Sequence, residues 1–115
     1  MALPVSLATS FDAAPSSDPS RLKITATAGG ARVQWDVASA PCLVAEASAL
    51  RSGSVIEVRI HRSANSLALC VATTVQYHYE AIVAVPAPGH YEIRLVDDLL
   101  GQPLRPIGRG AVAVY

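Results

Sequence analysis

At 115 residues the chain is long enough to bury one core and too short for two domains of ordinary size. Nine basic residues against nine acidic ones cancel, and aromatics make up only 5%, so there is no basic field for nucleic acid and little to stack on bases or sugars. Hydrophobic residues reach 51%, yet no apolar run approaches the roughly 18–20 residues of a spanning helix, and no membrane span is expected.

Residues 1–19 differ in character from the remainder of the chain. Pro4, Pro15 and Pro19 stand among Ser, Thr, Asp and Ala with no sustained period, which argues against helix and strand alike. The reading is an extended arm, with residues 20–115 as the folded domain. Leu3, Val5, Leu7 and Phe11 are its apolar side chains and the candidate anchors for a partner. The segment lacks a basic start and its apolar stretch is broken at Pro4, so it does not read as a signal peptide.

From residue 20 the period is close to 2, the mark of half-buried strands. "RLKITATA" sets Leu22, Ile24 and Ala26 against Arg21, Lys23 and Thr25. "GG" at 29–30 predicts a tight turn, and "ARVQWDVA" returns with Val33, Trp35 and Val37 on the core face. "CLVAEASAL" predicts a third strand, "RSGS" a turn, and "VIEVRIHR" a strand with Ile56, Val58 and Ile60 inward and Glu57, Arg59 and His61 outward. "LALCVATTVQYHYEAIVAV" is long enough for one bent strand or two, with Val75, Tyr77 and Tyr79 on one face. After "PAPG", "HYEIRLVDD" sends Tyr91, Ile93 and Leu95 inward. "LLGQPLRPIGRG" predicts a loop and "AVAVY" a last strand. Seven or eight short strands at near-regular spacing predict an all-β fold, an antiparallel β-sandwich without helix.

His90, Glu92 and Arg94 look at first like a site, but they alternate with Tyr91, Ile93 and Leu95. The reading is the wet face of a strand, where mixed charges pair across neighbours. His61, His78 and His90 have no ligand spacing among themselves, so no metal site and no cofactor are expected. No serine lies in a nucleophile elbow, and Asp97 and Asp98 are adjacent rather than paired across a cleft. The protein is therefore expected not to be an enzyme. Cys42 and Cys70 fall in predicted strands on either side of a hairpin. They are either a bridge, which in the chain-entropy view would contribute roughly 3–4 kcal/mol, or two buried thiols packing as small hydrophobes.

The stretch from "PCLVAEASALRSGSVIEVRIHRS" to "LALCVATTVQYHYEAIVAVPAPGHYEIRLVD", about residues 40–98, resembles small immunoglobulin-like or fibronectin-like β-sandwich modules of exported bacterial proteins. The matching positions are Cys42, Gly53, Cys70, Pro88, Gly89 and Tyr91. The resemblance implies an immunoglobulin-like sandwich, an oxidised Cys42–Cys70 pair and a place outside the cytoplasm, periplasmic or membrane-peripheral. It implies no catalytic residues. The function expected is a non-enzymatic interaction module, an accessory or structural subunit bound to protein partners in a larger, membrane-associated assembly. A free secreted carbohydrate-binding module is the alternative, followed by a small hydrolase or metal protein.

Overall fold

A computed structural model describes residues 1–12, 20–64 and 74–115. Nine strands and no helix occur among these residues: β1 (Ala2–Leu3), β2 (Val5–Asp12), β3 (Ser20–Thr27), β4 (Gly30–Ser39), β5 (Leu43–Ser52), β6 (Val55–Ala64), β7 (Val75–Ala84), β8 (Gly89–Leu99) and β9 (Arg105–Val114). They form two sheets, one ordered β1-β5-β6-β8-β9 and the other β2-β7-β4-β3. The all-β, two-layer architecture expected from the period-2 pattern is present.

The inward sets are those the alternation marks. Val33, Trp35 and Val37 on β4, Ile56, Val58 and Ile60 on β6, Val75, Tyr77 and Tyr79 on β7, and Tyr91, Ile93 and Leu95 on β8 are all buried in one core between the sheets. Trp35 stacks on Tyr79 with ring centres 5.6 Å apart, and its indole N–H donates to the Ser20 hydroxyl at 3.3 Å. The Tyr77 hydroxyl accepts from the Leu43 N–H at 2.9 Å and so ties the two sheets together. Two-residue turns at Ala28–Gly29 and Gly53–Ser54 close the hairpins β3–β4 and β5–β6. Gly29 has φ 73°, the left-handed region that a side chain disfavours.

Three expectations are corrected. The pairing is not wholly antiparallel: β6 and β8 run parallel, because β7 lies between them in sequence but belongs to the other sheet. The stretch expected as a loop before "AVAVY" is mostly strand, since β9 begins at Arg105. Gly101, with φ 86°, does lie in a turn, but Gly108 and Gly110 are sites of close approach. A Cβ on Gly108 would lie 2.7 Å from Leu22 Cδ2, so its absence lets β3 close over β9. Pro106 is tolerated because β9 is the edge of its sheet.

The third correction concerns the arm. Ala2–Leu3 pairs with β5, and all eight residues of β2 pair with β7. Pro4 stands between them, at the point where the chain leaves one sheet edge for the other, and there its missing N–H costs no ladder bond. The division between an arm at 1–19 and a domain from 20 therefore fails over residues 2–12. Pro15 and Pro19 lie outside the described residues.

The far end of β2 is held by an ionisable clamp. His78 Nε2 lies 2.8 Å from Asp12 and Nδ1 lies 2.8 Å from Asp36, joining β2, β7 and β4. These hydrogen bonds, to Asp12 first and Asp36 second, raise the imidazole above its ordinary 6.5. A raised folded-state value means the clamp stabilises fully below the unfolded value and fades as pH rises through the folded one. The stability difference between wild type and His78→Gln should therefore shrink as the buffer goes from about pH 6 to about pH 9. Thermal melts giving an equal difference at both ends would show that the clamp is not ionic.

Candidate functional site

The chemistry that the period-2 rule did not announce gathers at one end of the sandwich. Arg62 continues the inward phase of Ile56, Val58 and Ile60 at the end of β6, and Asp97 continues that of Tyr91, Ile93 and Leu95 near the end of β8. Their side chains are 3% and 5% exposed. Arg62 Nε and Nη2 donate to the two oxygens of Asp97 at 2.8 and 2.7 Å, a bidentate pair. The guanidinium also lies 5.2 Å from the Trp35 ring centre and 5.8 Å from that of Tyr79. Burial is the largest single influence and works against the Arg62 charge, but the hydrogen bonds and charge of Asp97 together with the Tyr79 hydroxyl outweigh it and raise the guanidinium above its ordinary range. Burial pushes the Tyr79 phenol up as well.

Two clefts flank this pair, each about 440 Å³, and Arg62 lines both. One opens between the sheets, bounded by Val37–Ser39 of β4 and the Gln102–Pro106 segment that leads into β9. The other lies on the outer side, between Val44 of β5 and Leu100 beyond β8. The Leu100 N–H donates to the Arg62 carbonyl at 2.9 Å, which fixes the connection against the end of β6. The rim is apolar and open: Leu100 is 79% exposed, Val44 48% and Leu104 47%.

The residues expected to bind a partner are elsewhere and mostly occupied. Leu3 is buried in the core, and Val5 and Leu7 pack against it. That removes Leu3 as a free anchor, because β1 places it on the inward face opposite Ala49. Phe11 is 63% exposed, with its ring centre 5.9 Å from that of Tyr77. Cys42 sits just before β5 with φ 62°, and Cys70 lies outside the described residues, so the Cys42–Cys70 bridge does too. His90 and Arg94 are exposed and Glu92 is half-buried. Glu92 pairs with Arg94 at 2.8 Å and with Arg109 at 3.6 Å, a solvated face of mixed charge. Among the described residues no group of three or more His, Cys, Asp or Glu is placed to hold a metal ion.

The signal that would have found the Arg62 end was phase: a charged residue continuing an inward set at two strand ends is a candidate buried pair. No protein-family model, curated protein or solved structure matches this chain.

Proposed function

We propose that the protein is an interaction module, an accessory or structural subunit that docks on a larger protein assembly through the Arg62 end of its sandwich. The observation that carries this reading is the rim of Val44, Leu100 and Leu104 around two clefts, exposed apolar surface set on a rigid, ion-paired base. Large apolar side chains ringed by polar groups are what a protein partner buries at the centre of an interface. The sandwich is read as immunoglobulin-like. The Tyr91 hydroxyl supports that reading: it bonds back to the Ala87 carbonyl at 2.7 Å where β8 begins, as a tyrosine does at the corner of such folds. With it go the proposed Cys42–Cys70 bridge and a setting outside the cytoplasm.

The test is native size-exclusion of the chain at its own expression level, compared with Leu100→Glu. Wild type is expected to travel in an assembly well above its own 12.0 kDa. The variant is expected to lose affinity by about 30-fold or more, the loss of a central anchor, with an unchanged β-sheet spectrum. Wild type at monomer mass, or a variant that assembles normally, would remove the docking reading. The same sample, denatured without reduction, should take up no maleimide; label on both cysteines would place the protein in a reducing compartment.

A further inference from the structure

On the outward face of the five-stranded sheet, Ser48 of β5, His61 of β6 and Asp98 of β8 lie across three successive strands. His61 and Asp98 are register partners, and Ser48 is the partner of Arg59, two residues before His61 on the same face. The Ser48 hydroxyl is 2.8 Å from His61 Nε2, and His61 Nδ1 is 2.7 Å from Asp98 Oδ2. An ionised carboxylate only accepts, so Nδ1 of the neutral ring carries the proton and Nε2 is left to accept from the Ser48 hydroxyl. That is the proton layout of an activated serine, with a base at the nucleophile and a carboxylate orienting the base.

A second observation lies beside it. Arg59, directly across from Ser48, has its Nε–H buried without a hydrogen-bond acceptor, while its Nη2 bonds Glu57 at 3.3 Å. A buried N–H without an acceptor calls for an explanation, and one beside a nucleophile is a donor for a developing oxyanion. A third is space. The outer cleft opens next to Ser48 and Arg59, which are not part of its lining: His61, Asp98, Glu46, Arg62 and Ser63 line it together with the apolar Val44, Ala45 and Leu100.

The geometry points to Ser48 as the nucleophile of an acyl-transfer site whose substrate is a carboxylic ester with a small apolar acyl group. Ser48 Oγ attacks the carbonyl carbon as its proton passes to His61 Nε2. The carbon–oxygen bond to the alcohol then breaks, and the departing oxygen takes that proton. Water, deprotonated by the same nitrogen, next attacks the acyl–Ser48 ester, releasing the carboxylic acid and restoring the hydroxyl. The Arg59 Nε–H is assigned as the donor to the oxyanion, and the acyl group extends past His61 toward Val44 and Leu100 of the cleft. This goes beyond the docking reading and does not depend on it; both use Val44 and Leu100, so a partner docked there would cover the acyl side of the site. A purely structural ladder would explain the two hydrogen bonds but not the unpartnered Arg59 donor, and it would not make Ser48 reactive.

Reactivity is therefore what the experiment reads. The full chain is treated with a fluorophosphonate, and the adduct is followed by intact mass and located by peptide mapping. One adduct on Ser48 is expected in the folded protein and none in urea. Its formation should slow by at least about tenfold in His61→Gln and in Asp98→Asn, each checked for an unchanged β-sheet spectrum. Hydrolysis of p-nitrophenyl butyrate should be lost in Ser48→Ala. No adduct on folded wild type, an adduct elsewhere, equal labelling in urea, or a folded His61→Gln that labels as fast as wild type would each overturn the assignment. The wild-type comparison with and without urea decides the matter even if a variant does not fold.

Discussion

Replacing Asp97 with Ala is expected to lower the unfolding free energy by about 3–5 kcal/mol, a large share of the 5–15 kcal/mol typical of a domain. The reason is what the substitution leaves behind. Arg62 is 3% exposed and gives two hydrogen bonds to Asp97, so its charge would stay buried without its counter-ion. The faces of Trp35 and Tyr79 offer it only a partial substitute. Arg105 does not change this: it reaches Asp97 at 3.3 Å but is 61% exposed, where an ion pair contributes little. Replacing both partners, Arg62→Met with Asp97→Leu, should cost less than Asp97→Ala alone, because the apolar pair leaves no orphaned charge. Urea unfolding with linear extrapolation measures both against wild type. A loss under about 1 kcal/mol for Asp97→Ala would mean that water reaches Arg62 and that the base of the docking end is not rigid.

Much of the fold was legible because the chain alternates where one face of a strand is buried. On β4, β6 and β8 the apolar positions predict the inward face residue by residue, and the wet face of His90, Glu92 and Arg94 follows from the same count. The rule misreads where chemistry and phase disagree. Arg62 and Asp97 hold inward positions, but charge by itself reads as outward, and only the sheet order brings together residues 35 apart in sequence. Ser48, His61 and Asp98 were hidden for the same reason. The strand pairings that position them are set by register, and that between β6 and β8 is the parallel pairing that no hairpin announces. Glycine and proline misled in the other direction. Read as breakers, Pro4, Pro106, Gly108 and Gly110 proved to mark sheet edges and close approaches, which single-residue signals do not separate from loops.

A protein beginning at Ser20 is expected to lose cooperative folding or to aggregate, whereas an arm at 1–19 that docks on a partner predicts a truncated domain of nearly unchanged thermal stability that fails to enter its complex. Removing β1 takes Leu3 out of the core, and full burial of such a side chain stabilises by about 1.5–3 kcal/mol. Removing β2 takes away Val5 and Leu7, which pack on that core, and the Asp12 end of the His78 clamp. With eight paired residues gone, β7 becomes the open edge of a three-stranded sheet, along the strand that carries Tyr77, Tyr79, Ala81 and Val83 into the core. A long unpaired edge of that kind is a template for intermolecular pairing. The terminus also caps β5, where the Met1 amine donates to the Arg51 carbonyl at 3.0 Å and the Met1 carbonyl accepts from the Arg51 N–H at 2.8 Å. Size-exclusion and thermal melting decide the outcome. A truncated monomer melting within about 4–8 °C of the full chain, roughly 1 kcal/mol at this size, would return residues 1–12 to the role of a detachable arm. Leu3→Asp separates the two contributions, since it keeps β1 and β2 in the chain and places a charge in the core. If it destabilises nearly as much as the truncation, the terminus acts through the core it fills. If it does not, the edge that β2 covers is what the domain cannot lose.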